Sequence, residues 1–227
     1  MNLDERIKDK IVTIAKKYSN IKQVVLFGSR ARGDNSSNSD IDLGIYMMND
    51  YNKLKFGLFC SEIDNIDTLL KFDLVIVDSG LSSKMIENIT KEGVCLMNRF
   101  SQKYENYKNA LERLKESVVE FEKTKSLTVR DGVIQRFEFT MDLAWKTIRE
   151  FLIEQGFTEL NSPKSVLKQA YSYGLLKDEE VWLNIVNDRN NTSHLYKEEM
   201  ANEVFGHIHE NYIAAFNSLI LEMDKNI

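Results

Sequence analysis

The chain has 227 residues, of which 43% are hydrophobic and 29% are charged, as in ordinary globular proteins with one large domain or two small ones. No segment approaches the roughly 20 apolar residues that a membrane helix needs. The polar, acidic start also lacks the basic-then-apolar order of a signal peptide. These features predict a cytoplasmic protein without a membrane partner.

The formal net charge is −5, and neither half of the chain is basic. Residues 1–98 carry 13 basic and 14 acidic side chains, and residues 99–227 carry 17 and 21. A general nucleic-acid binder is expected to have a basic excess. Any contact with RNA must therefore depend on a local patch.

The first part of the chain alternates between helix-like and strand-like segments. In chain order, the pattern predicts a helix over 3–18, strands over 23–27 and 41–47, a helix over 54–70, a strand over 72–77, a helix over 82–91 and a last strand over 94–97. The helix over 82–91 is predicted to end at Gly93. A small sheet covered by helices follows from this order.

The strand pattern stops after Asn98, and helical spacing continues to the end of the chain. Six apolar residues recur at spacings of 4, 4, 3, 4 and 4 and predict a long amphipathic helix that ends at Gly156: Val133, Phe137, Met141, Ala144, Ile148 and Leu152. Ser162 before Pro163 predicts a helix start. Further helices are predicted over 104–125, 179–189 and 198–223. The fold class is thus α+β, with a mixed-sheet domain over 1–98 and an all-α bundle of about five helices over 104–227.

One group of polar residues lies at the ends of predicted strands. Gly28-Ser29 closes the first strand, and Asp40-Ile41-Asp42 opens the second. Side chains two apart in a strand point to the same face, so Asp40 and Asp42 are aimed together. Asp73, at the start of the third strand, is placed to join them.

Three clustered carboxylates repel each other unless a cation lies between them. Mg²⁺ prefers carboxylates, phosphate oxygens and water, and two Mg²⁺ ions suit attack on a nucleotide phosphate. Gly28 allows the backbone to approach a phosphate, and Ser29 offers a hydroxyl and an N–H at a helix start. Arg30 and Arg32 are predicted, with less weight than Gly28 and Ser29, as additional phosphate contacts.

The string from Gly28 to Asp34, followed by Ser39-Asp40-Ile41-Asp42-Leu43, resembles the motif of minimal, DNA-polymerase-β-like nucleotidyltransferases. That motif is Gly-Ser, about ten residues and then Asp-x-Asp, and Asp73 fits the family's third carboxylate. The resemblance covers residues 1–98. It implies ATP as the donor substrate, two Mg²⁺ ions held by the three aspartates, and transfer of AMP to a hydroxyl.

A second polar group spans residues 188–196, where the fourth helix of the bundle ends. Arg189 can hold a phosphate, and His194 can exchange protons near neutral pH. An Arg and a His at this spacing occur together often by chance, so the spacing alone does not indicate a catalytic site. The bundle, however, resembles a HEPN domain of the nucleotidyltransferase substrate-binding, HepT-like toxin family, on the segments 130–138, 143–147 and 189–194.

That resemblance implies an RNA substrate cleaved by Arg189 and His194, and a homodimer in which two such segments face each other. It also implies that Tyr196, two residues after His194, is the tyrosine to which the partner enzyme adds AMP. The chain is then a fused toxin–antitoxin protein. Two alternatives stay open: a small-molecule nucleotidyltransferase whose bundle binds the acceptor, and a bundle that is only an interaction module.

Several residues outside these motifs have plain structural interpretations. His207 and His209 are two apart on a helix and form a poor metal pair. The aromatic residues Trp145, Trp182, Phe137 and Phe139 are predicted to lie in the core. For Asp131, Arg136 and Glu138 the sequence leaves two interpretations open, a pocket lining or a charged helix face.

Overall fold

The computed structural model describes residues 1–48, 52–78, 80–192 and 198–226. Within this part of the chain, two compact units are present, Met1–Arg99 and Phe100–Ile227, and each has its own hydrophobic core. No helix in the described ranges combines the length and apolar character that a membrane crossing requires. The α+β fold class is confirmed.

The first unit is a four-stranded mixed sheet with helices. Its elements in chain order are α1 Glu5–Lys17, β1 Ile21–Phe27, α2 Gly28–Arg32, β2 Ile41–Met47, α3 Lys53–Asp64, β3 Phe72–Ile76, α4 Ser83–Glu92 and β4 Val94–Asn98. The strand order is β3-β2-β1-β4, in which β2 and β3 are parallel and the other pairs antiparallel. The predicted strands are confirmed to within two residues.

One helix of this unit is shorter than predicted. The spacing predicts a helix over 54–70, but α3 ends at Asp64. Asn65 ends it because its side-chain amide donates to the carbonyl oxygen of Ser61, 2.8 Å away, and its backbone N–H donates there as well. Of the apolar residues that follow, Ile66 is buried at 5% exposure, whereas Leu69 is fully exposed.

The two faces of the sheet are covered differently. Leu43 and Ile45 of β2 belong to the core that α1 and α3 complete with Ile11 and Phe59. The intervening position, Gly44, lies on the other face, where a side chain would contact α4. Because strand side chains alternate, Asp42 shares this second face.

The second unit is an all-α bundle, as predicted. Its helices are α5 Arg99–Thr124, α6 Leu127–Glu154, α7 Pro163–Tyr173, α8 Glu179–Asn191, α9 Glu198–His207 and α10 Ile213–Asp224, with a π-helical turn at Ile208–Tyr212 between the last two. All six residues of the predicted apolar stripe on α6 are at most 2% exposed. Ser162 caps α7 through a reciprocal pair of hydrogen bonds with Ser165.

The prediction that Phe137 and Phe139 both lie in the core is wrong for Phe139. Phe137 is fully buried, but Phe139 is 58% exposed. Residues that are two positions apart in an α-helix point in directions about 200° apart around the helix axis, because a turn has 3.6 residues. One buried face therefore cannot hold both rings. Trp182 is buried and Trp145 packs at the core's edge, as predicted.

Candidate functional site

The first candidate site lies where β1 ends beside β2 and β3. Phe27, the last residue of β1, is paired with Asp42 of β2, and Gly28 follows it with a φ of +70°. A side chain at Gly28 would overlap the Asp42 carboxylate, since a Cβ there would lie 3.1 Å from its Cγ and closer still to one oxygen. Glycine is therefore required both for the backbone conformation and for the space that Asp42 occupies.

Asp73 lies directly beside Asp42. The parallel pairing of β2 with β3 puts the two aspartates in register, so both side chains leave the same face of the sheet. Burial and the neighbouring carboxylates of Asp73 and Asp40 raise the pKa of Asp42, while Arg32 and Arg30 oppose the increase. Asp40 is exposed and stands one residue before β2. The three predicted aspartates are thus brought to one end of one sheet face.

Arg30 has a different environment from the one predicted. It is only 5% exposed, and its guanidinium donates to the carbonyl oxygens of Ser39 at 2.8 and 3.0 Å, of Ser37 at 3.1 Å and of Asn2 at 3.3 Å. These contacts fix the loop that leads into Asp40. In this structure Arg30 positions the loop instead of presenting its charge to a phosphate.

Ser29 is half-buried at the second residue of α2. Its carbonyl oxygen accepts from the N–H of Gly33 and of Asp34, but its hydroxyl has no hydrogen-bond partner among the described residues. Arg32 is paired with Asp34 and Glu92, at 3.1 and 3.0 Å. Of the predicted phosphate contacts, Ser29 is the one whose side chain is available.

The aspartates fit a magnesium site that a substrate completes. No group of three carboxylate, histidine or cysteine side chains in the described ranges is close enough to form a cage by itself. Mg²⁺ in nucleotide enzymes is ordinarily held by one or two carboxylates together with phosphate oxygens and water. The in-register pair of Asp42 and Asp73, whose mutual repulsion a cation would relieve, has this chemistry.

The second candidate site lies at the end of α8. The Arg189 guanidinium pairs with the Asp142 carboxylate of α6 at 3.1 Å, with both side chains more than a third exposed. Thr192, which caps α8, has its hydroxyl 2.7 Å from the carbonyl oxygen of Arg189, and it also contacts the Glu138 carboxylate. His194 and Tyr196, the predicted catalytic and modified residues, lie outside the described residues.

The residue before Arg189 joins a partly buried hydrogen-bond network. One carboxylate oxygen of Asp188 lies 2.8 Å from Nδ1 of His207 and accepts from the Tyr212 hydroxyl at 2.6 Å. Residues five apart do not share a face of an α-helix, but the π-helical turn at Ile208–Tyr212 brings both donors to one oxygen. Burial raises the pKa of the Tyr212 hydroxyl most, and the hydrogen bond to Asp188 raises it further. His209 instead faces Glu122 at 3.2 Å, which agrees with the prediction that His207 and His209 do not form a metal pair.

Sequence reasoning missed Asp142, Asp188 and Tyr212. Asp142 follows Glu138 by one helical turn on α6, so an acidic stripe facing the end of α8 was present in the sequence. Nothing local identified Tyr212, because its partner is 24 residues away and the π-helical turn decides its direction. Glu138, for which two interpretations were open, belongs to the lining near Thr192.

Comparison with known proteins assigns both units. Residues 102–225, more than half of the chain, match the family described as nucleotidyltransferase substrate binding protein like. The chain belongs to this family. Residues 9–103 match the polymerase β nucleotidyltransferase family. A polymerase-β-like nucleotidyltransferase domain is therefore followed by a substrate-binding, HepT-like HEPN domain, and the resemblances read from the sequence are confirmed.

The individual proteins that resemble this member of the substrate-binding family each match only part of its length. A probable ribonuclease HepT of Haemophilus influenzae is 31% identical over 99 residues, which are 42% of this chain and 66% of that protein's length. A solved H. influenzae structure, described as the fold of a substrate-binding domain of a nucleotidyltransferase, is 24% identical with a TM-score of 0.49, over 53% of this chain and 98% of that one. A toxin–antitoxin structure with AMP-PNP is 22% identical with a TM-score of 0.35, over 40% of this chain and 73% of that one.

Proposed function

We propose that the first domain transfers AMP from ATP to Tyr196 of this same protein, and that the HEPN domain is a ribonuclease silenced by this modification. The observation that carries the first part is the in-register pair of Asp42 and Asp73 beside Gly28. The ribonuclease part is supported by the likeness to a probable ribonuclease and by the position of Arg189 at the end of α8.

The transfer reaction is a substitution at the α-phosphorus of ATP. The tyrosine oxygen forms a new bond to this phosphorus, the bond to the β-phosphate oxygen breaks, pyrophosphate leaves, and the hydroxyl proton passes to solvent. Asp42 and Asp73, with Asp40, would hold two Mg²⁺ ions, which would supply positive charge to neutralise the triphosphate and to activate the attacking oxygen. Ser29 donates its free hydroxyl to a phosphate oxygen, and Arg30 keeps the loop before Asp40 in place.

Cleavage of RNA by the second domain requires no metal. The 2′-hydroxyl attacks the adjacent phosphorus while the 5′-oxygen of the next nucleotide leaves, which yields a cyclic phosphate. His194 exchanges the protons of these two oxygens, and Arg189 stabilises the charge on the phosphate. The ion pair with Asp142 keeps the Arg189 side chain extended towards α6.

Intact-mass analysis before and after incubation with ATP and Mg²⁺ tests the transfer. Wild-type protein is expected to gain whole AMP increments that map to the peptide containing Tyr196. Asp42→Asn and Tyr196→Phe are expected to gain none, and Tyr171→Phe, which changes an exposed tyrosine of α7, serves as the control. Undiminished labelling of the Tyr196→Phe protein would refute the proposed acceptor.

A mixing experiment tests whether transfer occurs between two chains of a homodimer. The Asp42→Asn chain keeps the tyrosine but lacks the transferase site, and the Tyr196→Phe chain has the reverse defect. AMP on the Asp42→Asn chain after mixing is expected if one copy modifies the other. Label that appears only in wild-type protein, at a rate independent of its concentration, would show transfer within one chain.

Expression in cells tests the ribonuclease separately. Loss of Asp40 and Asp42 together is expected to prevent AMP transfer and to make the protein toxic, and adding His194→Ala is expected to remove the toxicity. Toxicity that persists without His194 would exclude the ribonuclease.

The family's description as substrate-binding favours a second candidate, in which the bundle holds a small-molecule alcohol that receives AMP. This function predicts AMP on an added acceptor and none on the protein, with no toxicity in the Asp40/Asp42 double variant. The same mass analysis, extended to the small molecules in solution, separates the two candidates.

A further inference from the structure

A groove of about 670 Å³ runs between α5 and α6 on the outside of the bundle. Its lining is about half polar and half apolar, and its larger side chains include Asn106, Asn109, Arg113, Gln135, Arg136 and Phe139. Arg136 faces this groove together with Arg113 of the facing helix. Of the two interpretations that the sequence left open for Arg136, a pocket lining is the one that applies.

The positive charge of this groove comes from its two arginines. Neither Arg113 nor Arg136 makes an ion pair within the described residues, whereas Arg130 pairs with Asp131 and Arg189 pairs with Asp142. No acidic side chain of the described residues lines the groove itself, but both arginines also line an adjoining cavity together with Glu116 and Glu120. In a half of the chain with an acidic excess, this is a local basic patch of the kind that RNA binding requires.

Phe139 adds a flat apolar surface to the same groove. Its ring is 58% exposed and has no ring partner among the described residues, although most aromatic side chains of the bundle are packed in pairs. Exposed aromatic rings beside arginines form the stacking surfaces on which single-stranded nucleic acids lie. The amides of Asn106, Asn109 and Gln135 can exchange hydrogen bonds with base edges.

The groove continues towards the end of α8. Gly132 and Gln135 of α6 line both this groove and a second cavity of about 660 Å³, which reaches Glu138 and Thr192. Thr192 lies one helical turn beyond Arg189 and contacts the carbonyl oxygen of that residue. An RNA strand that lies along α6 would reach the end of α8 past the carboxylates of Asp131, Glu138 and Glu198, which also line this second cavity.

We infer that the α5–α6 groove binds single-stranded RNA, with Arg113 and Arg136 on its phosphates and Phe139 stacked on a base. The inference rests on the proposed ribonuclease function, for which it supplies the binding surface. Single-stranded RNA is favoured over free phosphate because only the former uses the ring and the amides as well as the charges. It is favoured over a second copy of the chain because the only charged side chains that line the groove among the described residues are two arginines, and the chain has a net charge of −5.

Binding of a short single-stranded 2′-O-methyl oligonucleotide to the full chain, measured by fluorescence anisotropy over a range of salt concentrations, tests the inference. This probe resists cleavage through the 2′-hydroxyl, so binding is measured whether or not the ribonuclease is active. Arg113→Gln and Arg136→Gln are each expected to weaken binding and to reduce the salt dependence by about 0.7 in log–log slope. Phe139→Ser is expected to weaken binding about 5- to 100-fold, with the salt dependence unchanged.

Lys168→Gln and Tyr171→Ser on α7 are the matched controls, since they remove one exposed charge and one exposed ring elsewhere on the bundle. Both are expected to bind like the wild type. Unchanged affinity of the groove variants, or no binding by the wild type, would overturn the inference. The inference would also be overturned if the groove variants formed smaller assemblies than the wild type in mass photometry while the affinity of each chain for RNA stayed the same. The groove would then be a contact between copies. AMP transfer to Tyr196, measured on the same variants, judges the proposed transferase independently.

Discussion

At Gly28, the space that a side chain would need is taken by the Asp42 carboxylate. Alanine at this position would clash with the carboxylate, and it would also have to adopt the φ of +70° that glycine has here. Gly33 is the matched case, since its φ is +90° but a Cβ there would meet nothing within 4 Å. The two glycines therefore separate the backbone cost from the effect on the carboxylate.

We expect Gly28→Ala to lower the rate of AMP transfer by more than about a hundredfold, the loss typical when catalytic groups are displaced by about 1 Å. Gly33→Ala is expected to keep the activity and to lose only about 1 kcal/mol of stability. Initial rates and chemical denaturation of both proteins provide the comparison. Equal loss of activity in the two variants would mean that backbone strain alone matters at this turn.

The acidic pair also has a predictable effect on stability. A carboxyl group whose pKa is raised by folding stabilises the protein at low pH, and this contribution is lost as the pH rises through the raised value. Burial and the charges of Asp73 and Asp40 raise the pKa of Asp42 above its ordinary value of 3.8. At neutral pH, the ionised Asp42 therefore destabilises the metal-free fold.

Asp42→Asn is accordingly expected to raise the Tm in the presence of a chelator at neutral pH, with a smaller gain as the pH falls towards 4. Asp9→Asn, an exposed change on α1, is expected to leave the Tm within about 1 °C of the wild type. Calorimetry across this pH range measures both. A Tm for Asp42→Asn at or below that of the wild type would contradict the assigned repulsion.

Among the elements, the π-helical turn between α9 and α10 connects the last helix of the bundle to α8. It turns His207 and Tyr212 towards one oxygen of Asp188, next to Arg189. Tyr212 is 2% exposed, so its hydroxyl has no ready substitute for this partner. The network thus couples the end of α8 to the hydrophobic core, where Tyr212 stacks on Phe137.

Tyr212→Phe is expected to lower the free energy of unfolding by about 1–3 kcal/mol, since it removes a buried hydrogen bond to a charged group. Tyr171→Phe, at an exposed tyrosine, is expected to change it by less than about 0.5 kcal/mol. Urea denaturation of the two variants gives the difference directly. Equal stabilities would show that water replaces the hydroxyl and that the turn does not depend on this contact.

Over the whole molecule, each unit has a core of its own, and the division falls inside the first turn of α5. Arg99, the first residue of that helix, belongs to the first unit. Its guanidinium donates to the carbonyl oxygens of Ala15, Tyr18 and Ile21, at and beyond the end of α1. Arg99 thus caps the end of α1 within the first unit.

Fragments 1–99 and 100–227 are each expected to fold, and ATP with Mg²⁺ is expected to raise the Tm of the first fragment alone. In the full chain, Arg99→Leu is expected to cost the first unit about 1–3 kcal/mol, because carbonyl oxygens at the end of α1 lose their donor. Lys123→Leu, an exposed change near the other end of α5, is the control. Circular dichroism and calorimetry measure these effects, and a fragment 1–99 without a cooperative transition would contradict the separate core.

Much of this architecture was already determined by the sequence, because it depends on local periodicity. The stripe from Val133 to Leu152 fixes which face of α6 is buried, and the caps at Ser82 and Ser162 fix where helices begin. The spacing between Gly28-Ser29 and Asp40-x-Asp42 also marks the first site, since both pairs flank consecutive strands that meet in the sheet.

Only the tertiary structure decided where distant residues meet. The register of β2 with β3 places Asp73 beside Asp42 across some 30 residues of chain, and no local pattern specifies that pairing. Arg30 resembles a phosphate ligand in sequence, but the carbonyl oxygens of Ser37 and Ser39 hold its guanidinium. Phe139 resembles a core residue, yet its ring is 58% exposed in the groove between α5 and α6. Side-chain type and spacing fix what a residue can do, whereas its partners are fixed by contacts between segments far apart in the chain.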